Sequence, residues 1–276
     1  MFGILLAFFG NFFGEFSASF GKQLLKTKEL SIYLYGAMNY FSLVIFFFAI
    51  TLFKGETLVF GGGVLLFLTR FVFEVIQSEA QLRALEFADR TTFGFLRALT
   101  IPLLLIVDIV LGYTLTMTQL LGVLLVTFSL VFMFYGSRVR HEGFYLSLFS
   151  AVNAVITISI YKYDITHFRS VAVEGFYLAL LLALYLGTRS LILHGRDVLR
   201  LLRRPSLIFL VTGNSVASVL VSFAYQYGPA SLILAMVRAG ALFWSFFSGA
   251  LYFHEGEIRR KFVVLSFLLV AAFLMF

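Results

Sequence analysis

Apolar runs long enough to cross a bilayer follow one another along this chain, separated by short breaks rich in charge and glycine. A helix of about 20 apolar residues spans the hydrocarbon core. Such runs fall near residues 2–21, 31–53, 64–85, 91–112, 116–136, 143–163, 172–193, 206–227, 230–253 and 258–276. They predict an all-α membrane protein of ten transmembrane helices. Several breaks carry turn residues: Lys54-Gly55, Gly61-Gly62-Gly63, Gly136-Ser137, Gly228-Pro229 and Glu255-Gly256. The runs are continuous rather than alternating with period two, which argues against a β-barrel. The first run lacks the basic flank of a secretory signal and an evident small-residue cleavage site, so it is read as a retained helix.

The pattern repeats at an offset of 140 residues: Gly3 meets Gly143, Leu6 meets Leu146, Phe9 meets Phe149, Ser19 meets Ser159 and Lys22 meets Lys162. With one residue of slippage, FLRALTIP (95–102) aligns with MVRAGALF (236–243), which sets Arg97 opposite Arg238. Two units follow, 1–137 and 138–276, of five predicted helices each. Five is odd, so the second unit enters the membrane upside down relative to the first. That is the 5+5 inverted repeat used by many secondary transporters, with the substrate site at the repeat interface.

Composition agrees with the pattern: 61% of the 276 residues are hydrophobic and 13% are charged. A water-soluble domain is near 45–50% apolar and about 25% charged. With no cysteine, disulfides, thiolate metal sites and cysteine nucleophiles are excluded. The histidines at 141, 167, 194 and 254 lie at or near breaks without ligand spacing, so neither a metal nor another cofactor is expected. The net charge of +7 does not point to nucleic acid, because the basic residues sit in short loops and act as orientation signals. Of the 21 Lys and Arg, 15 lie at or near loops after odd-numbered helices and 3 at loops after even-numbered ones. By the positive-inside rule this places both termini outside a plasma or inner membrane.

The remaining candidates are polar residues inside apolar runs. In the third run, FLTRFVFEVIQSEAQLR, Arg70 and Glu74 are i, i+4 neighbours, Gln77 and Gln81 continue their face, and Glu79 and Arg83 form a second such pair. Such a stripe lines the bundle interior, because charge facing lipid costs several kcal/mol, roughly 2.5–3.5 on insertion scales. Arg97 lies about 9 Å into the fourth predicted helix and Arg238 about 12 Å into the ninth, entering from opposite faces. Both are expected in a shared cavity, where the guanidinium fork suits a carboxylate or phosphate. The competing reading pairs them with resident acids such as Glu15, Glu74 or Asp108. Glu15, inside the first run, is the candidate for proton coupling. Asp108, near the end of the fourth, is expected at the interface. Asn39, Asn153, Ser222, Tyr225 and Trp244 are polar groups able to complete a substrate site.

The helix 4–5 junction reads Gly112-Tyr113-Thr114-Leu115-Thr116-Met117-Thr118-Gln119-Leu120-Leu121-Gly122, and the second copy reads Phe253-His254-Glu255-Gly256-Glu257. Lys22 closes the first run, and YGPASLILAM (227–236) joins the eighth and ninth. In these features the chain resembles the ten-helix, EamA-type branch of the drug/metabolite transporter superfamily, whose junction reads roughly GE-x-L-T-x-x-Q-x-x-G. Tyr113 stands where that pattern has an acid. The resemblance implies a transporter with both termini in the cytoplasm, contrary to the charge count, and leaves the substrate open. The expected function is therefore a secondary transporter, an exporter or exchanger and not an enzyme. It would move a small polar or amphipathic, carboxylate-bearing metabolite by alternating access. The alternatives are an intramembrane enzyme acting on lipid and a non-transporting scaffold.

Overall fold

The computed structural model of the protein describes residues 1–26, 32–87, 96, 99–134, 144–194, 205–252 and 258–275. Among these, the structure is all-helical. Its α-helices are α1 (Phe2–Lys26), α2 (Ile32–Phe53), α3 (Val64–Phe87), α4 (Thr100–Val110), α5 (Met117–Phe134), α6 (Phe144–His167), α7 (Val171–His194), α8 (Pro205–Ala224), α9 (Ala230–Tyr252) and α10 (Ile258–Met275). A single 3₁₀ turn, Tyr225–Tyr227, follows α8.

Among the described residues, four helical stretches are long and apolar enough to cross a membrane: Ile32–Phe53, Phe144–His167, Val171–Leu193 and Leu207–Tyr227. Large apolar side chains point outward, among them Phe41, Phe128, Phe209 and Phe273. So much exposed apolar surface belongs against lipid rather than water. The chain is a membrane protein by these two observations.

Local chemistry sets the helix ends. After α2, Gly55 takes φ +64°. Its N–H bonds the Leu52 carbonyl at 3.0 Å and the Glu56 N–H bonds that of Thr51 at 3.0 Å. This is a left-handed Schellman cap, which glycine adopts without a Cβ penalty. The motif recurs after α4, with Gly112 at φ +80° and the Tyr113 N–H on the Asp108 carbonyl at 3.0 Å. At the start of α5, Thr116 Oγ1 accepts the Gln119 N–H at 3.2 Å while Gln119 Oε1 accepts the Thr116 N–H at 3.2 Å. The T-x-x-Q of the helix 4–5 junction is thus a reciprocal capping box.

Packing joins the first five helices to the last five. Helix α1 lies against α8 and α9, and α6 against α3 and α4. Helix α2 packs on α7, α4 on α9, and α5 on α10. Small residues set the closest approaches. A Cβ on Gly10 would meet the Ala217 carbonyl at 3.2 Å, and one on Gly213 would collide with the Ser17 hydroxyl. Gly175 of α7 seats the buried Phe47 ring of α2, and Gly36 of α2 seats Leu186 of α7. Backbones approach this closely in lipid because dispersion, not the hydrophobic effect, drives helix association there.

Candidate functional site

A column of buried polar side chains runs along the α3–α6 seam. At its inner end Gln77 is at once donor and acceptor. Its Nε2 donates to Ser150 Oγ at 2.9 Å, and its Oε1 accepts from Asn153 Nδ2 at 2.9 Å. Asn153 Nδ2 also reaches the Phe73 carbonyl at 2.9 Å. One turn further along α3, Glu74 lies within hydrogen-bond reach of Thr157. Next comes Arg70, 6% exposed. Its guanidinium is 3.6 Å from Glu74, in direct ionic contact with Glu174 of α7, and 4.3 Å over the Tyr161 ring. Tyr161 donates to the Ser222 carbonyl at 2.9 Å and meets the Tyr225 ring edge-on, centroids 5.9 Å apart.

The column ends in a closed ion pair. Asp164 and Arg169 are both buried, at 2.7 and 2.5 Å between Nη1 and the two carboxylate oxygens. Arg169 also donates to the Gly62 carbonyl at 2.9 Å and lies 4.2 Å over the Phe60 ring. Ser170 donates to Glu56, and Tyr177 donates to the Leu58 carbonyl at 2.7 Å. These contacts bind the α2–α3 loop to the α6–α7 turn. Burying charge requires a partner and further hydrogen bonds, and here Asp164 supplies the partner while the Gly62 carbonyl takes Nη2 of Arg169. Towards the other end of α3, Glu79 accepts from Tyr33 at 3.0 Å and Tyr185 at 2.8 Å, with Arg83 at 3.8 Å and Arg189 at 3.7 Å.

A second charged feature brackets the α8–α9 turn. Asp108, at the end of α4, is buried within protein instead of meeting the interface, and accepts the backbone N–H of Ala230 at 3.2 Å and of Ser231 at 2.7 Å. A carboxylate there complements the positive end of α9. Lys162 of α6 donates to the Tyr225 carbonyl at 2.5 Å, at the end of α8. Acid on a helix start and base on a helix end hold the YGPAS turn from both sides.

The structure gathers Arg70, Glu74, Gln77 and Asn153 into one seam, with Tyr225 and the backbone of Ser222 at its edge through Tyr161. Arg238 lies on α9 within electrostatic reach of Tyr225, and its Nε is buried without a hydrogen-bond partner among the described residues. Asn39 belongs to another contact, where its side-chain oxygen accepts from Asn214 at 3.2 Å across α2–α8. Trp244 packs among Phe8, Phe12 and Phe243 and donates to the Phe8 carbonyl at 3.0 Å, which ties α9 to α1. Glu15 lies half-buried on α1. Arg97, and the side chain of Gln81, lie outside the described residues. The sequence reading passed over Glu174, Asp164 and Arg169. Glu174 stands alone in the apolar run VAVEGF, and an isolated intramembrane acid is itself a signal.

No family model and no curated protein matches the chain. A solved structure described only as "Crystal structure of protein" superposes with a TM-score of 0.73 at 15% identity, over 99% of this chain and 97% of that one. At that identity the likeness is one of fold.

Proposed function

We propose that the protein is a secondary transporter of a small polar or amphipathic metabolite, built as a 5+5 inverted repeat of ten membrane-spanning helices. On this reading it works by alternating access between its halves, in the manner of the drug/metabolite transporters it resembles. The observation that carries the reading is a pair of packing contacts related by the sequence offset of 140. Gly10 of α1 lies against Ala217 of α8, and Ser150 of α6 bonds Gln77 of α3. Adding 140 to Gly10 gives Ser150, and subtracting it from Ala217 gives Gln77. The helix pairings obey the same exchange. The pair α1–α8 becomes α6–α3, and α1–α9 becomes α6–α4, while α2–α7, α4–α9 and α5–α10 map onto themselves. Two halves exchangeable in this way give two states related by a pseudo-two-fold axis, one open to each side, and this is the mechanical use of an inverted repeat.

Within this reading the substrate meets Arg238 beside the Tyr161–Tyr225 edge of the column. The guanidinium Nε left without a partner there suits a carboxylate-bearing compound. The test is uptake into liposomes across anionic, zwitterionic and cationic metabolites, with wild type beside Arg238→Gln and Arg97→Gln. Flux of a carboxylate-bearing compound that is lost in folded Arg238→Gln supports both transport and site. Flux that survives both substitutions removes the arginines from the site, and no flux of any compound overturns the transporter reading.

A further inference from the structure

Arg70 serves two carboxylates, the half-buried Glu74 on its own helix and the buried Glu174 across the α3–α7 contact. One guanidinium balances one of them. The groups around the triad do not supply the missing positive charge. From α6 it is faced by Tyr161 and Asp164, and Asp164 is already closed on Arg169 from the α6–α7 turn. From α2 it is faced by the Tyr40 hydroxyl. The described centre therefore carries one negative charge in excess when every carboxyl is ionised.

The inverted repeat provides an internal control. Shifted by 140, Arg70 corresponds to Leu210, Glu174 to Leu34 and Glu74 to Asn214. Leu34 and Leu210 are buried together with Leu207 in one apolar cluster. The same seam is thus closed by leucine on leucine in one half and by an ion triad in the other. Apolar replacement of a buried ion pair is often neutral or stabilising, so packing does not explain the triad. An intramembrane carboxylate without a full counter-charge takes up a cation, and the proton needs one carboxylate oxygen where a metal ion needs several oxygen ligands.

We propose that Glu74 and Glu174, sharing Arg70, form the proton-binding site that couples transport to the proton gradient. The inference rests on the inverted-repeat transporter reading. A proton from water binds one carboxylate oxygen of the pair, leaving one neutral carboxyl and one Arg70–carboxylate ion pair. The proton belongs to the pair rather than to either residue. Releasing it restores the excess charge, and that charge favours opening the seam to water. Glu15, the acid that sequence alone suggests for this role, lies on α1, outside the triad.

Infrared difference spectra of the protein in lipid vesicles test this between about pH 6 and about pH 9, where water-exposed carboxyls stay ionised. Wild type is expected to show a protonated-carboxyl C=O band that changes with pH. The band is expected to vanish in Glu174→Gln and in the variant Arg70→Leu/Glu74→Asn/Glu174→Leu, which copies the other half. It is expected to persist in Glu15→Gln. Glu174→Gln keeps the Arg70–Glu74 pair intact and serves as the readout should the triple variant fail to fold. The proposal is overturned if wild type lacks such a band, if the band survives in Glu174→Gln, or if sodium at fixed pH abolishes it. Uptake measured on the same vesicles separates the two readings. A band without flux of any compound refutes transport alone, and flux without the band refutes this site alone.

Discussion

Two glycines of α7 separate close approach from mere helix permissiveness. A Cβ on Gly175 would sit 2.5 Å from two atoms of the Phe47 ring, which is buried and has no free space to swing into. A Cβ on Gly187 would meet nothing within 4 Å. Alanine is the better helix former by about 1 kcal/mol. Gly187→Ala is therefore expected to raise the unfolding temperature slightly. Gly175→Ala is expected to lower it, by a net loss of up to roughly 2 kcal/mol, because about 1–3 kcal/mol of overpacking outweighs that gain. Thermal unfolding in detergent decides both, and equal shifts would mean that the α2–α7 contact is looser than described. The Asp164–Arg169 pair gives a larger effect. Arg169→Leu strands a carboxylate that is fully buried, at a cost of about 3–5 kcal/mol, whereas Asp164→Leu/Arg169→Leu removes both charges and should recover most of it. Non-recovery in the double variant would show that the Gly62 and Phe60 contacts, not the charge, hold the loop.

At the scale of elements, the apolar runs gave the helices because lipid requires every backbone polar group to be satisfied within the segment. The predicted run 31–53 is observed as Ile32–Phe53, and 172–193 as Val171–His194. The misfit at 206–227 has a cause the runs do not carry. The α-helix stops at Ala224 and tightens to a 3₁₀ turn whose Tyr225 carbonyl is taken by Lys162, a residue far away in sequence. The site was legible to the same extent. Arg70 and Glu74 are readable as i, i+4 neighbours, but Glu174 and Tyr161 join them only through packing of α7 and α6. Likewise the Thr116 and Gln119 of the family-like junction are visible in sequence, and the structure gives them a capping task rather than a substrate. Two helix starts then differ in stake. Thr116→Ala removes an exposed cap and is expected to cost about 1 kcal/mol. Asp108→Ala removes a buried carboxylate from two backbone donors of α9, and the expected cost is about 2–3 kcal/mol because those N–H groups have no water to turn to. Unfolding curves for the two variants, compared at one detergent concentration, check the ranking, and equal losses would place the α9 start in contact with water.

The whole molecule poses a question of orientation that two arguments answer oppositely. The basic residues crowd the ends of α1, α3, α5, α7 and α9, which by the charge rule face the cytoplasm and leave both termini outside. The resemblance to drug/metabolite transporters puts the termini in the cytoplasm. The charge rule acts on this chain during insertion, so it is given precedence here. Cysteine is absent from the sequence, so any introduced thiol is the sole target for labelling. Lys54, Leu111 and Phe168 are exposed and follow α2, α4 and α6, so an even number of helices separates each from the next. Leu193, exposed at the end of α7, lies one crossing beyond Phe168. In intact cells a membrane-impermeant maleimide is expected to modify Lys54→Cys, Leu111→Cys and Phe168→Cys, and to reach Leu193→Cys only after the membrane is opened. The reverse pattern would preserve the ten-helix plan and assign the termini to the cytoplasm, making the basic loops an exception to the charge rule. Disagreement among Lys54, Leu111 and Phe168 would be more damaging. The helices between them would then not all cross the membrane, the halves could not be inverted copies, and two-sided access would lose its structural basis.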